Sequence, residues 1–432
     1  MNSYKISILT LGCRVNQYES DYIAKELTNM GATVVPFCDS CDAYVINTCT
    51  VTGESDRKSK QMIRRCVKAN PNAKIIVTGC FSQVNKKEAE SILGVDLVCD
   101  SNSKSKIPGL VFSLIEGKEI DYLETPANEF DQISVGTSPK RTRAFIKIED
   151  GCDSKCAYCI IPKARGKVRS APIDNIIKEI TQIAAEGCKE VVLTGIETAS
   201  YGKDLKNVES LSSLLCRADK IEGIERIRLG SLDPSSITKD FVDEIKSLKK
   251  VMPHFHLSMQ SGCTKTLNSM RRKYSVEMAK NNIYYLRSQI ENVQLSCDII
   301  TGFPGETNED FENTYNFFKE MRFLHHHIFP YSKRQGTVAC DMPNQVDEGV
   351  KKERLHRLEE LEKEIKKSLL ESYVKNHKTD KVLFETTQNG YACGHLSNFM
   401  DVKMKTDADY NGQILEVSLL SADGKYIYVS LK

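Results

Sequence analysis

Two blocks of strand–helix alternation constrain this chain more than any other feature of its sequence. In the first, the apolar runs KISILTL (5–11), ATVVPF (32–37), AYVIN (43–47), KIIVTG (74–79) and VDLVC (95–99) are separated by helical stretches over 19–30, 54–69 and 86–93, and a helix over 107–116 follows. In the second, AFIKIED (144–150), EVVLTG (190–195), IERIRLG (224–230), HFHLSMQ (254–260), VQLSCDII (293–300) and FLHHHIF (323–329) alternate with amphipathic stretches. Apolar runs of this length, spaced by helices, predict parallel strands with helices packed on the sheet. The fold class is therefore α/β: an N-terminal parallel sheet, then a curved, partial (β/α)6 barrel. Both architectures carry function at the carboxyl ends of their strands.

The rest of the chain completes a three-domain plan, as 432 residues lead one to expect. Residues 121–140, rich in Asp, Glu, Pro, Ser and Thr, predict a linker. Residues 348–371 predict a long helix whose charges form a solvated face. From about Tyr373, short runs such as KVLFETT, YACGH and KYIYVSL predict a small all-β barrel. The expected domains are 1–118, 138–370 and 371–432. No apolar run approaches the ~20 residues of a membrane span, and the start, MNSYKISILTLGC, has no secretory cleavage pattern. Cytoplasm is the expected compartment, and the sixteen cysteines are expected as reduced ligands, nucleophiles or small buried residues.

Cys152, Cys156 and Cys159 lie in the loop after the first barrel strand, GCDSKCAYCIIP. Cubane iron–sulfur clusters are held by thiolates, and this spacing lets one loop wrap three irons and leave the fourth open. Zinc is the bland alternative, but it takes four ligands, often as paired C-x2-C units, and no fourth is evident nearby. The C-x3-C-x2-C spacing resembles that of the radical S-adenosylmethionine (SAM) enzymes, in which the open iron chelates SAM. Candidate SAM contacts are Tyr158 in the loop and Gly195, Glu197, Ser258, Gln260 and Asp298 on later strand ends.

Cys13, Cys49 and Cys80 are remote in sequence, yet each follows an apolar strand of the first block. Neighbouring parallel strands present their carboxyl ends along one edge, so three such cysteines can converge on one metal. Cys38 and Cys41 have redox or zinc spacing but lack a second pair, and are expected to be structural. His325, His326 and His327 fall within one strand and point to alternate faces, which disfavours a three-histidine site.

A net charge of +2 gives no bulk signal for nucleic acid, so RNA contact has to come from patches. Lys163, Arg165, Lys167 and Arg169 follow the cluster loop, where a phosphate backbone near a reacting base would need positive charge. Further basic runs lie at 57–65 and 271–273. The C-terminal β module, with His395 and Phe399, is the second candidate RNA surface.

Together LGCRVNQYES, NTCTVTGESDRKSKQMIRR, VTGCFSQ, DGCDSKCAYCIIPKARG, PHFHLSMQSGC, SCDIITGFPGET and FPYSKRQGTVACDMPNQV resemble the radical SAM methylthiotransferases, closest to the MtaB-type enzymes of tRNA N6-threonylcarbamoyladenosine. The closing GHLSNFMDVKM resembles that family's TRAM module, an RNA-binding barrel. The resemblance implies two [4Fe–4S] clusters, one on Cys152, Cys156 and Cys159 and an auxiliary one on Cys13, Cys49 and Cys80. It further implies SAM as cofactor and tRNA as substrate, with sulfur insertion and methylation at C2 of the modified adenosine 3′ of the anticodon. An electron donor and a sulfur donor are required partners, and no membrane is. Isopentenyladenosine and a ribosomal aspartate are alternative targets within the family. A non-catalytic RNA-binding protein with structural metals is the alternative outside it.

Overall fold

The computed structural model describes residues 3–120, 122–126, 129–136, 142–206 and 209–432. In the first unit β1 (Lys5–Thr10), β2 (Thr33–Val35), β3 (Ala43–Thr48), β4 (Lys74–Gly79) and β5 (Leu97–Val98) form one parallel sheet in the order β2-β1-β3-β4-β5. Every residue of the central β3 is buried. Its alternate side chains enter separate cores: Tyr44 and Ile46 on one face, Ala43 and Val45 on the other. The helix after β1 spans Arg14–Asn29, starting five residues before the expected 19 because the polar RVNQY carries no apolar period. The helix Gly53–Ala69 is capped by the Thr52 hydroxyl, which accepts from the Ser55 N–H, and has Glu54 and Asp56 in its first turn. In this strand order the winding reverses between β1 and β3, so their carboxyl ends flank a crevice.

The second unit comprises β6 (Arg143–Lys147), β7 (Glu149–Asp150), β8 (Arg169–Ser170), β9 (Glu190–Thr194), β10 (Arg226–Leu229), β11 (Ser231–Leu232), β12 (His254–Gln260), β13 (Gln294–Thr301) and β14 (His325–Pro330). Two parallel sheets, β6-β9-β10 and β11-β12-β13-β14, meet at the break between β10 and β11 and curve into a partial barrel. The short pair β7–β8 is antiparallel and clasps the base of the loop at 152–159. One apolar core joins barrel residues such as Ile146, Leu193, Leu257 and Ile299 to the surrounding helices.

The third unit is a closed barrel of β15 (Thr379–Gln388), β16 (Tyr391–Leu396), β17 (Asp401–Lys405), β18 (Ile414–Ala422) and β19 (Ile427–Leu431), ordered β15-β16-β17-β19-β18. Closure leaves no strand edge exposed. The helix Glu348–Asn376 ties it to the second unit: Leu358, Leu361 and Ile365 join the (β/α) core, Leu370 and Tyr373 the β-barrel core. Its charges are not all solvated, as had been expected. Lys351 and Arg354 are buried, the first on the Tyr331 carbonyl at 3.2 Å and the second on that of Glu306 at 3.3 Å.

The expected domain start at 138 lies outside the described residues. The described parts of the linker carry no helix or strand but are anchored, Thr125 on Ser103 and the Val135 N–H on Glu179. Among the described residues no helix is long and apolar enough to cross a membrane.

Candidate active site

Cys49 and Cys80 follow β3 and β4 directly and Cys13 follows β1 after Leu11 and Gly12, on the edge where the winding reverses. Two glycines let these loops close on one another. Gly12 has φ +99°, and a Cβ there would lie 2.8 Å from the Cys49 sulfur. Gly79, also at φ +99°, lies where a Cβ would meet the Thr48 carbonyl. Any side chain at either position would force the loops apart. The Asn16 amide ties the same loops, donating to Leu11 O at 2.7 Å and Thr48 O at 2.9 Å. Burial pushes the Cys80 thiol up to about 11, with Arg165 opposing and Cys13 and Cys49 adding to the rise.

Arg165 is the hub behind them. Its Nε donates to Cys80 Sγ at 3.3 Å, its Nη1 to Glu19 at 2.6 Å and Asp150 at 3.1 Å, and its Nη2 to Asn16. Lys104, Lys147 and Arg169 complete this buried cluster, in which Arg165, Lys104 and Lys147 alone outnumber Glu19 and Asp150 among the described residues. Burial works against ionisation of Glu19, yet Arg165, Lys104 and Lys147 hold its carboxyl far below the usual range. A buried positive surplus needs anionic neighbours, and three thiolates would supply them. Soft sulfur donors, a cationic wall and one side open at Cys13 fit a [4Fe–4S] cubane with one iron free of protein ligands.

At the second set each sulfur accepts one hydrogen bond at 3.4 Å. Ser154 N–H donates to Cys152, Ile161 N–H to Cys159, and Arg272 Nη1 to Cys156. These are the contacts thiolate ligands take, so this loop also fits a cubane. Arg272 is held by Asp233 at 2.7 Å and the Ser258 carbonyl at 3.0 Å. Burial drives the Cys159 thiol up to about 12, so in the absence of metal it stays protonated at neutral pH.

Beside this loop a cavity of about 280 Å³ is lined by Ser154, Cys156, Glu197, Asp233 and Arg272. Burial and the neighbouring Asp233 push the Glu197 carboxyl up to about 7, with Arg272 opposing. Gly195 passes so close to Glu149 that a Cβ would lie 2.6 Å from Oε2, and the same oxygen accepts from the Glu197 N–H at 2.9 Å. Tyr158 packs against the Ala157, Met270 and Phe303 cluster. Gln260 sits at a bulge with φ +62°. Neither it nor Ser258 lines the Glu197 cavity or the central one described next.

A central cavity of about 620 Å³ lies where all three units meet. The first contributes Gly12, Cys13 and Arg14, the second Arg143, Gly195, Ile196, Arg228, His254, His256, Asp298 and His327, and the third Phe399. Asp298 is bracketed by His256 at 3.1 Å and His327 at 3.4 Å. His325 and His327 face the cavity, while His326 turns into the core against Phe318 and Phe323, as strand alternation requires.

Three of the expected RNA contacts are overturned. The side chains of Arg165 and Arg169 are 0% and 3% exposed, consumed by the ion cluster. His395 is 2% exposed and wedged between Glu190 (3.2 Å) and Glu385 (3.1 Å) at the junction of the second and third units. In the basic run at 271–273 Arg272 likewise turns inward to Cys156. Lys163 and Lys167 are exposed. Phe399 looks into the central cavity, stacked on His254 with ring centroids 4.7 Å apart.

Sequence reasoning missed Arg14, Arg143, Arg228 and His256, and read Arg272 as part of a basic run that could face RNA. A signal existed for Arg228: in RIRLG two arginines interrupt a strand that a barrel must bury, and buried charge is rare without purpose.

Residues 146–318 match the family model described as Radical SAM superfamily, and residues 5–100 that described as Uncharacterized protein family UPF0004. The chain is 39% identical to "Threonylcarbamoyladenosine tRNA methylthiotransferase MtaB" of Bacillus subtilis, over 98% of this chain and 95% of that protein. It is 37% identical to the protein of that name from Aquifex aeolicus, over 92% and 96%. It is also 37% identical to "tRNA-2-methylthio-N(6)-dimethylallyladenosine synthase" of Thermoanaerobacter pseudethanolicus, over 88% and 81%. Among solved structures it shares the fold of the radical SAM methyltransferase TsrM from Kitasatospora setae, with TM-score 0.56, 13% identity and coverage of 78% and 74%. The chain belongs to the radical SAM methylthiotransferases, of the MtaB type.

Proposed function

We propose that this chain is a tRNA methylthiotransferase that converts N6-threonylcarbamoyladenosine 3′ of the anticodon to its 2-methylthio derivative. The observation that carries the reading is the central cavity, which reaches from Cys13 of one cysteine set to Gly195 and Ile196 beside the other. A base held there would face both sets at once. When bound, the two clusters and SAM would supply a 5′-deoxyadenosyl radical, an iron to carry sulfur from an external donor, and the methyl group.

The residues of the chain bind, orient and exclude water. Cys13, Cys49 and Cys80 hold the auxiliary cluster, with Arg165 balancing its charge. Cys152, Cys156 and Cys159 hold the radical SAM cluster, with Arg272 on Cys156. Gly195, Glu197 and Tyr158 surround SAM. Glu197, poised near neutrality, would offer SAM bound in the cavity it lines a hydrogen-bonding carboxyl. Asp298, ionised between two histidines, lies on the substrate side of the cavity. Exposed Lys163 and Lys167 meet the RNA backbone. An electron donor and a sulfur donor are needed from outside, and the cytoplasm is the compartment that supplies tRNA and keeps thiols reduced.

Mass spectrometry of tRNA nucleosides from a strain lacking this protein tests the reading. Loss of 2-methylthio-N6-threonylcarbamoyladenosine, with its unthiolated precursor retained, is expected. Loss of the 2-methylthio-isopentenyl nucleoside instead would move the enzyme to the other substrate.

A further inference from the structure

We infer that the end of the central cavity formed by Arg14, Arg143, Arg228 and Phe399 is the subsite that reads the carboxylate of an amino-acid substituent on the target base. This rests on the proposed function and adds to it which residues of this chain recognise the substituent.

Charge balance is the first ground. Arg14, Arg143 and Arg228 share two carboxylates, Glu190 and Glu385, whereas Arg226 beside them also has Glu225 and Asp380. Arg228 Nε donates to Glu190 at 2.9 Å, Arg226 stands 3.8 Å from the same carboxylate, and Arg143 Nη2 reaches Glu385 at 3.0 Å. His395 already lies between those two acids. The three guanidiniums that line the cavity share two carboxylates among the described residues, and a ligand anion would complete the balance there.

Hydrogen bonding is the second. The Nη1 atoms of Arg143 and Arg228, two residues of the cavity wall, are buried and have no hydrogen-bond partner among the described residues. The Arg228 side chain is 4% exposed, so water does not readily stand in. Its remaining nitrogens are committed, Nε to Glu190 and Nη2 to the Leu396 carbonyl at 3.1 Å. Guanidinium donors left over on neighbouring residues suit the paired oxygens of a carboxylate. Burial depresses the Arg228 guanidinium to about 10, which still leaves it charged at neutral pH.

The third ground is Phe399. Its φ of +71° is unfavourable for a bulky side chain and marks a position that the surroundings enforce. The ring stands 4.8 Å from the Arg228 guanidinium and 5.4 Å from that of Arg143. An aromatic face beside free cationic donors can stack a base or its substituent while the arginines take the charge. On adenine, C2 and the N6 substituent flank the same ring nitrogen, so one bound base presents both to this cavity. A neutral prenyl group would leave both donors unpaired, and a site built to hydrogen-bond a substituent rejects an analogue that lacks the acceptor.

The test uses the full chain with reconstituted clusters and three anticodon stem-loop RNAs. They carry N6-threonylcarbamoyladenosine, its carboxyl methyl ester, or unmodified adenosine, and binding is read by fluorescence anisotropy. The wild type is expected to prefer the free carboxylate to the ester by about tenfold or more. Arg143→Gln, at a partly exposed side chain, should bring that ratio close to one. Arg228→Lys, which keeps the charge and loses the fork, should reduce it and serves as the second variant if the first misfolds. Iron content and circular dichroism report on folding. Equal binding of carboxylate and ester by the wild type overturns the proposal. So does an Arg143→Gln variant that weakens all three RNAs equally, because the arginines would then hold an RNA phosphate. A parallel thiolation assay adds a fourth stem-loop carrying N6-isopentenyladenosine: if the wild type thiolates that RNA and leaves the threonylcarbamoyl one untouched, the functional reading fails instead of the subsite alone.

Discussion

Arg165 of the second unit donates through Nε to the sulfur of Cys80 in the first, at 3.3 Å, while the same guanidinium holds Glu19 and Asp150. One side chain thus locks the sheet domain onto the barrel and sets the charge behind one cysteine set. Replacing Arg165 with Met would remove the guanidinium hydrogen-bonded to both buried carboxylates, which keep Lys104, Lys147 and Arg169. A loss of about 2–3 kcal/mol is expected, the scale of hydrogen bonds to charged groups, measured by urea unfolding of the metal-free chain. Arg165→Lys keeps the charge and should recover part of it.

Glu197 predicts a pH dependence. Its carboxyl is raised from 4.5 to about 7, so between these values the folded chain keeps a proton that the unfolded chain has released. Its stabilising contribution is complete below 4.5 and is lost as pH rises through 7. Metal-free protein should therefore show falling unfolding stability from pH 5 to 7.5, and Glu197→Gln should flatten that slope. An unchanged slope in the variant would assign the titration elsewhere.

His395 should behave as a joint between units. His395→Ala removes the group between Glu190 and Glu385 and leaves both acids nearer to Arg143 and Arg228 alone. About 2 kcal/mol of stability should be lost, and limited proteolysis should release the C-terminal barrel sooner. A variant as resistant as the wild type would contradict the placement of His395 at the junction.

Phe399→Ala should weaken RNA binding by about tenfold, the scale of one lost base–aromatic stack. Anisotropy with the threonylcarbamoyl stem-loop measures it. An unchanged affinity would place the base elsewhere in the cavity.

The sheet, the barrel strands and the C-terminal barrel were legible because period and turn chemistry are local. HFHLSMQ over 254–260 is found as one strand, β12, with the expected bounds. That Cys13, Cys49 and Cys80 lie along one edge of the sheet was legible too, because parallel strands present their carboxyl ends together. Arg165 and Arg169 were misjudged for a reason that local sequence does not carry. KARGKVR looks like a basic surface loop until Glu19, 146 positions earlier, is known to meet it. The arginine-rich end of the cavity was invisible for the same reason, since Arg14, Arg143, Arg228 and Phe399 come from three units.

Two cysteine sets holding two clusters, with different work for each, is most directly tested by iron content together with reductive SAM cleavage in three reconstituted proteins. The wild type should hold about eight irons. The Cys13, Cys49 and Cys80 to Ala triple variant should hold about four, still yield 5′-deoxyadenosine and make no thiolated nucleoside. The Cys152, Cys156 and Cys159 triple variant should also hold about four but cleave no SAM. A wild type with about four irons, or a folded first triple variant that still thiolates RNA, would contradict the two-cluster site.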